Sequence, residues 1–347
     1  MRRDTSMVLL GTALTVGTIG GAVATAQSPK VVVESYHVPA RDPGIQLYVR
    51  NKRPDGVSAF SSDRILLVVH GATYPAETAF DLPLQGVSWM DYAAQRGFDV
   101  YLMNVRGYGA STRPPEMAQP PTENRPIVST DVAIADVGAV VDHVRARRGV
   151  ARINLLGWSW GTVLTGAYTA QNNDKIERLV LYAPVFIRTT PSPITADARL
   201  GAYRTVTKEA AETRRRSGLT EAQAKDVMPA EWFDAWWAAV LASDPVGARQ
   251  TPPVVRAPNG VVEDGRKYWS AGKAYYDPSG IRVPTLLVVG EWDADTPLYM
   301  AQAVFGKLTQ APRRRLVVIG EGTHGVVVEK NRMQLFREVQ LFLEEPR

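Results

Sequence analysis

Gly157-Trp158-Ser159-Trp160-Gly161 follows the apolar run Ile153-Asn154-Leu155-Leu156 and precedes Thr162-Val163-Leu164-Thr165-Gly166-Ala167-Tyr168. A buried strand should therefore turn abruptly into a helix here. In such a corner, glycines two positions before and two after a serine relieve the crowding of a strained turn and leave the hydroxyl exposed at its apex. A chance Gly/Ser turn satisfies the same five-residue pattern. What separates the two readings is whether the rest of the chain supplies strands, helices and partner residues around Ser159.

It supplies strands and helices in alternation. Ile65-Leu66-Leu67-Val68-Val69 is apolar without a period of two, as expected of a strand covered on both faces. Phe98 to Met103, Arg152 to Leu156, Ile176 to Tyr182, Val283 to Gly290 and Arg315 to Ile319 read as further strands, separated by helical stretches. Before them, Val31 to Val38 and Ile45 to Arg50, joined by Asp42-Pro43-Gly44, predict an antiparallel hairpin at a sheet edge. Ser129-Thr130-Asp131 should cap a helix ended by Gly149, in which His143 faces solvent, and a terminal helix is expected from about Val327 to Leu343. The alternation predicts an α/β fold with a doubly wound, mostly parallel sheet.

The rhythm breaks from 185 to 280, which reads as an inserted helical cap without a buried strand. Thr220-Glu221-Ala222-Gln223 fits a capping box, and Pro229 opens a helix carrying Phe233, Trp236, Trp237, Val240 and Leu241 on one face. Residues 27–184 and 281–347 form the two parts of the enclosing domain. The first 26 residues read as an export signal: Arg2-Arg3 precedes a glycine-rich apolar run ending in Ala24-Thr25-Ala26, a cleavage pattern, and the paired arginines lean toward twin-arginine export. A periplasmic or secreted protein without stable membrane insertion is the expectation.

The 347-residue chain has no cysteine, which excludes disulfides, thiolate catalysis and Cys-based metal sites. Its charge of +5 comes from 40 basic and 35 acidic residues that are interleaved. The dense basic runs, Arg145 to Arg148, Arg214 to Arg216 and Arg313 to Arg315, read as solvated edges, and no nucleic-acid partner is expected. Neither a cofactor nor a metal is called for.

A serine hydroxyl needs a base to take its proton and a third group to orient that base. Of four histidines, His37 and His143 fall in a strand and a helix, and His70 is coupled to the glycine turn that ends its strand. His324 alone sits in a Gly-rich loop after the last strand, so it is the expected base. Asp293 and Asp295 both follow the strand ending at Gly290; Asp293 is preferred as the orienting acid and Asp295 is expected to cap the helix near Pro297. The N–H groups of Trp160 and Ala72 are the expected donors to a tetrahedral oxyanion, each worth about 3 kcal/mol. Trp158, Tyr74 and Trp236 are the expected substrate contacts.

The set His70-Gly71, Arg106-Gly107-Tyr108-Gly109-x-Ser111, Gly157-x-Ser159-x-Gly161, Asp293 and His324 resembles the α/β-hydrolase fold superfamily, over about Val31 to Leu343. The resemblance implies an eight-stranded sheet, a Ser159–His324–Asp293 triad and an acyl intermediate. Trp160 and Asp293-x-x-Thr296-Pro297 resemble proline iminopeptidases, for which Glu209, Glu212, Glu221 and Glu231 could supply ammonium-binding carboxylates. His70-Gly71-Ala72-Thr73-Tyr74 departs from that group's oxyanion loop, and Tyr92 to Ser111 looks more like lipases and esterases. The leading expectation is a serine hydrolase of small carboxylic esters. The alternatives are an aminopeptidase and a non-catalytic binding protein on the same fold.

Overall fold

The computed structural model describes Met1 and residues 29–192, 194 and 199–346. Apart from Met1, the expected export signal lies outside the described residues. Strands β1 (Val31–Pro39) and β2 (Gln46–Pro54) pair antiparallel from Val31 opposite Pro54 to Pro39 opposite Gln46, forming the expected edge hairpin. The alternation then begins: β3 (Ile65–Val69), α1 (Glu77–Phe80), α2 (Trp89–Ala94), β4 (Asp99–Met103), α3 (Thr130–Arg148), β5 (Ile153–Trp158), α4 (Trp160–Gln171) and β6 (Ile176–Tyr182). The sheet has eight strands in the order β1-β2-β4-β3-β5-β6-β9-β10, where β9 is Thr285–Gly290 and β10 is Arg314–Ile319. All contacts from β4 to β10 are parallel.

Successive residues of the central strands feed opposite cores, as the period of two demands. Leu67, Val69, Leu155 and Leu287 pack with α3 and α4, whereas Leu66, Val68, Leu156 and Leu286 pack with α2 and with the last helix. Both faces are dry, which is why these strands read as unbroken apolar runs. Ser129 accepts from the Val132 N–H at the start of α3, and Gly149 ends it at φ +64°, a left-handed conformation that costs glycine little. His143 is half-buried beside the ring of Tyr36, at 5.5 Å, not directed at solvent: the edge hairpin folds over that face of α3.

Between β6 and β9 the chain makes β7 (Tyr203–Thr207), α5 (Lys208–Arg215), α6 (Glu221–Val227), α7 (Ala230–Ala242), β8 (Val254–Pro258) and α8 (Gly260–Lys267). The capping box at Thr220 and Gln223 is present, and Phe233, Trp236, Trp237 and Val240 are the buried face of α7. The insertion is not purely helical. β7 and β8 form an antiparallel pair, and β8 is buried throughout. Its charged centre hides it in the sequence: Arg256 is neutralised by Asp244 through bonds of 2.7 and 3.0 Å, a pairing only the folded chain brings about. After β9 come α9 (Leu298–Lys307) and, past β10, α10 (Arg332–Glu344). The terminal helix starts five residues later than its apolar pattern suggests, because Val326–Val328 is a separate 3-10 turn.

Candidate active site

Ser159 joins β5 to α4 with φ +57° and ψ −123°, a conformation that a residue with a side chain occupies only under constraint. The flanking glycines supply the constraint. A Cβ on Gly157 would lie 2.3 Å from the Gly161 carbonyl oxygen, and one on Gly161 would lie 2.6 Å from that of His70. The elbow is thus folded against the end of β3, and Gly71 approaches Ser159 so closely that its own Cβ would stand 2.8 Å from the serine Cβ.

His324 sits in the loop after β10, and its Nδ1 lies 2.9 and 3.2 Å from the two carboxylate oxygens of Asp293. Asp293 is itself fixed: its oxygens accept from the Thr296 N–H at 2.7 Å and the Thr296 hydroxyl at 2.8 Å. This leaves Nδ1 as the protonated nitrogen of neutral His324 and Nε2 as the free lone pair. The carbonyl of His324 accepts from the Trp158 indole at 3.1 Å and the Tyr182 hydroxyl at 2.9 Å. Glu329 closes the loop from below by accepting from the Thr323 N–H and hydroxyl. Burial pulls the His324 pKa down, but the carboxylates of Asp293 and Asp295 outweigh it and leave the ring above its ordinary value.

Ser159 and His324 line one cavity with Ala72, Tyr74 and Trp158. Among the described residues no hydrogen bond joins Ser159 Oγ to His324 Nε2; the nearest carboxylate to Nε2 is Asp295, at 3.9 Å. Asp295 does not cap the helix that follows Pro297. Its carboxylate turns into the cavity and meets the Arg214 guanidinium at 2.5 and 2.8 Å, an attraction stronger than an exposed cap offers. On the other side of this ion pair a second cavity is lined by Ala72, Ser159, Trp160, Arg188 and Trp269, among others.

The loop His70 to Thr73 runs beside the elbow. His70 is completely buried and held neutral, its pKa lowered to about 4 by that burial. Its Nε2 accepts from the Val105 N–H at 3.1 Å, which leaves Nδ1–H to donate to the Gly71 carbonyl at 2.6 Å. The backbone N–H groups of Ala72 and Trp160 have no hydrogen-bond partner among the described residues. Thr73, the next residue, is held at φ +83°, costly for a β-branched side chain, and its hydroxyl accepts from Arg204 of β7 at 2.6 Å.

Tyr74 and Trp158 line the cavity. Trp236 does not. It is 1% exposed and lies behind the wall, edge-on to Tyr74 at 4.8 Å with the Arg215 guanidinium over its face at 4.0 Å. The Trp160 side chain is likewise in the core, its indole donating to Thr130 at 3.0 Å.

Arg204, Arg214 and Arg215 are the site residues that sequence reasoning missed. Arg214 and Arg215 are not a solvated edge; both line the cavity, and only Arg216 is exposed, paired with Glu212. The signal was in the spacing: Arg214 and Arg215 stand three and four residues after Ala211, the buried residue of α5. Arg106 of the Gly-punctuated loop is structural, clamped by Asp136. Among the described residues no group of three His, Asp or Glu side chains is arranged to hold a metal, and no helix is long and apolar enough to cross a membrane.

The α/β hydrolase fold family model matches residues 64–331. No curated protein matches the chain significantly. Among solved structures, a thermophilic esterase from Thermogutta terrifontis superposes with a TM-score of 0.57 at 16% identity, over 89% of this chain and 98% of that one. A serine hydrolase from Cycloclasticus zankles gives 0.59 at 16%, over 90% and 98%. Est816, described as an N-acyl homoserine lactone degrading enzyme, gives 0.57 at 17%, over 88% and 98%. At such identities the superpositions speak for the fold, and the family match, which spans most of the chain, identifies it: the protein belongs to the α/β-hydrolase fold family.

Proposed function

We propose that the protein is a serine hydrolase of carboxylic esters, exported from the cell, in which residues 185–280 act as a cap over the reacting groups. Ser159 attacks the ester carbonyl, His324 Nε2 takes its proton and passes it to the departing alkoxide, and Asp293 orients the ring and stabilises its charged form. The Ala72 and Trp160 N–H groups receive the oxyanion of the tetrahedral intermediate. Water then repeats the sequence on the acyl-Ser159 ester. The observation that carries this reading is the strained Ser159 elbow opening on the same cavity as the His324–Asp293 pair. The names of the esterase and the lactone-degrading enzyme that share the fold agree with ester chemistry.

The aminopeptidase alternative finds no support in the cavity wall. Glu209, Glu221 and Glu231 are exposed and Glu212 pairs with Arg216, whereas the Asp and Arg side chains lining the cavity that Ser159 shares with His324 are two arginines and one aspartate. An ammonium group would meet repulsion there. A fluorophosphonate probe should label the wild-type protein, and Ser159→Ala should abolish the label. A well-folded wild type that ignores the probe and hydrolyses no ester overturns the reading.

A further inference from the structure

The wall around Ser159 carries more positive charge than ester hydrolysis requires. Arg214 and Arg215 line the His324 side, Arg188 lines the other side, and Asp295 is the carboxylate common to both. Arg214 is matched to Asp295. Arg188 points its guanidinium at the Asp295 and Pro191 carbonyls and the Thr190 hydroxyl. Arg215 has no such match. It makes no ion pair among the described residues, and its one polar contact is the Met228 sulfur at 3.4 Å.

Arg215 is nonetheless held in place. Its guanidinium lies over the Trp236 ring at 4.0 Å, and its tip reaches Gly325, next to His324, where a Cβ would come within 2.8 Å of it. Glycine at 325 gives the cation room beside the proposed base. The acid nearest in the same region, Glu329, already accepts from Thr323 and is pushed toward its neutral form by burial. Burial also pulls the Arg215 pKa down from its usual value, further than the attraction of the Glu329 carboxylate raises it. A planar, fixed guanidinium with free donors at the mouth of a reaction site recognises carboxylates in two-point fashion.

We propose that the ester this site cleaves is anionic, carrying a carboxylate that Arg215 binds a few atoms from the scissile carbonyl. The proposal rests on the esterase reading and adds the charge of the substrate. The carboxylate sits on either the acyl half or the alcohol half, and the two are separable by experiment.

The test compares kcat/KM for three small esters: neutral propyl butyrate, monopropyl succinate with its carboxylate on the acyl half, and butyryloxyacetate with its carboxylate on the alcohol half. Wild-type enzyme should favour one carboxylated ester over propyl butyrate by at least about tenfold. Arg215→Met, which keeps the apolar stem over Trp236, should bring that ratio close to one, and Arg215→Lys should retain part of it. Because each ratio is measured within one preparation, a partly folded variant lowers both rates and leaves the ratio standing. Ratios near one in the wild type for both carboxylated esters overturn the proposal. Glutarate titrated calorimetrically into Ser159→Ala separates the two readings. Glutarate binding that Arg215→Met removes, with no ester hydrolysed by the wild type, keeps the anion site and sinks the esterase. Hydrolysis of propyl butyrate without charge preference or glutarate binding does the reverse.

Discussion

The C-terminal edge of the sheet and the insertion between β6 and β9 both face the cavity, yet they build it by different means. At the sheet edge, position is set by backbone. Ser159 is placed by a corner too tight for any residue but glycine at 157 and 161, and His324 and Asp293 by short loops that leave adjacent parallel strands. The insertion works with side chains on element faces: Arg204 from β7, Arg214 and Arg215 from α5, and Trp236 from α7 behind them. The edge thus holds the groups proposed to react, and the insertion holds charges that shape what reaches them. Substitutions at the edge should destroy turnover, while those in the insertion should alter its rate or selectivity by smaller factors.

The largest effect is expected from His324→Ala. A nucleophile without its base retains only what the oxyanion donors and binding provide, so kcat should fall by about 10⁴-fold or more. Thermal unfolding should change little, since the fixed part of the loop is its backbone, held through the His324 carbonyl. A residual rate within tenfold of wild type would break the distinction between edge and insertion.

Gly161→Ala tests whether the corner is as unforgiving as its geometry implies. Its Cβ would meet the His70 and Val69 carbonyl oxygens at 2.6 and 2.7 Å, and backbone cannot move aside as a flexible side chain can. A destabilisation of about 3 kcal/mol, read from the urea midpoint, is expected together with loss of turnover. A Gly→Ala change at the exposed Gly306, where a Cβ meets nothing, should be close to neutral or mildly stabilising.

This difference also explains what could be read in advance. The helix caps at Ser129 and Thr220 are local, since the residues that force the geometry are neighbours in sequence, and the Gly157-x-Ser159-x-Gly161 corner is legible as a five-residue pattern even though the end of β3 packs against it. The separate places of the two histidines were legible as well, His70 at the glycine turn that ends β3 and His324 in the loop after β10 beside Asp293. The fates of Asp295 and of the Arg214-Arg215-Arg216 run were not legible, because they depend on how α5 docks over a loop 80 residues away. Asp295 has the sequence context of a helix cap and an arginine run that of a solvated end; docking brings them into an ion pair. Trp236 was misjudged for the same reason, as an aromatic stripe shows which face is buried and not whether that face reaches the cavity. β8 escaped notice because its buried arginine has a partner twelve residues away.

A middle-sized effect should come from Arg204→Ala. Arg204 braces Thr73 immediately after the proposed oxyanion donor Ala72, and Thr73 needs a brace at φ +83°. Without it the loop should relax and move the Ala72 N–H, lowering kcat by about 10- to 100-fold, short of the 10²–10³ expected for outright loss of a donor. KM for a neutral ester should change far less, because the groove walls are untouched. Thr73→Val removes the same hydrogen bond from the other end, so the double substitution should cost little more than either alone. Fully additive losses would show that Arg204 acts elsewhere.

The smallest effect, and the sharpest on electrostatics, is a shift in pH dependence. His324 must be neutral to accept the Ser159 proton, so kcat/KM should rise with pH through the pKa of its free-enzyme form. Burial lowers that pKa and the Asp293 and Asp295 carboxylates raise it further than burial lowers it, which puts the acid limb above the ordinary histidine value of about 6.5. His70 does not contribute, being neutral down to about pH 4. Asp295→Asn removes one raising charge and leaves Arg214, whose cation lowers the His324 pKa, without its partner. Both changes favour neutral His324, so the acid limb should move to lower pH while the plateau rate changes only modestly. A limb that stays in place would mean that Asp295 is screened from the ring despite its 3.9 Å approach to Nε2, and that the insertion influences the reacting groups by shape alone.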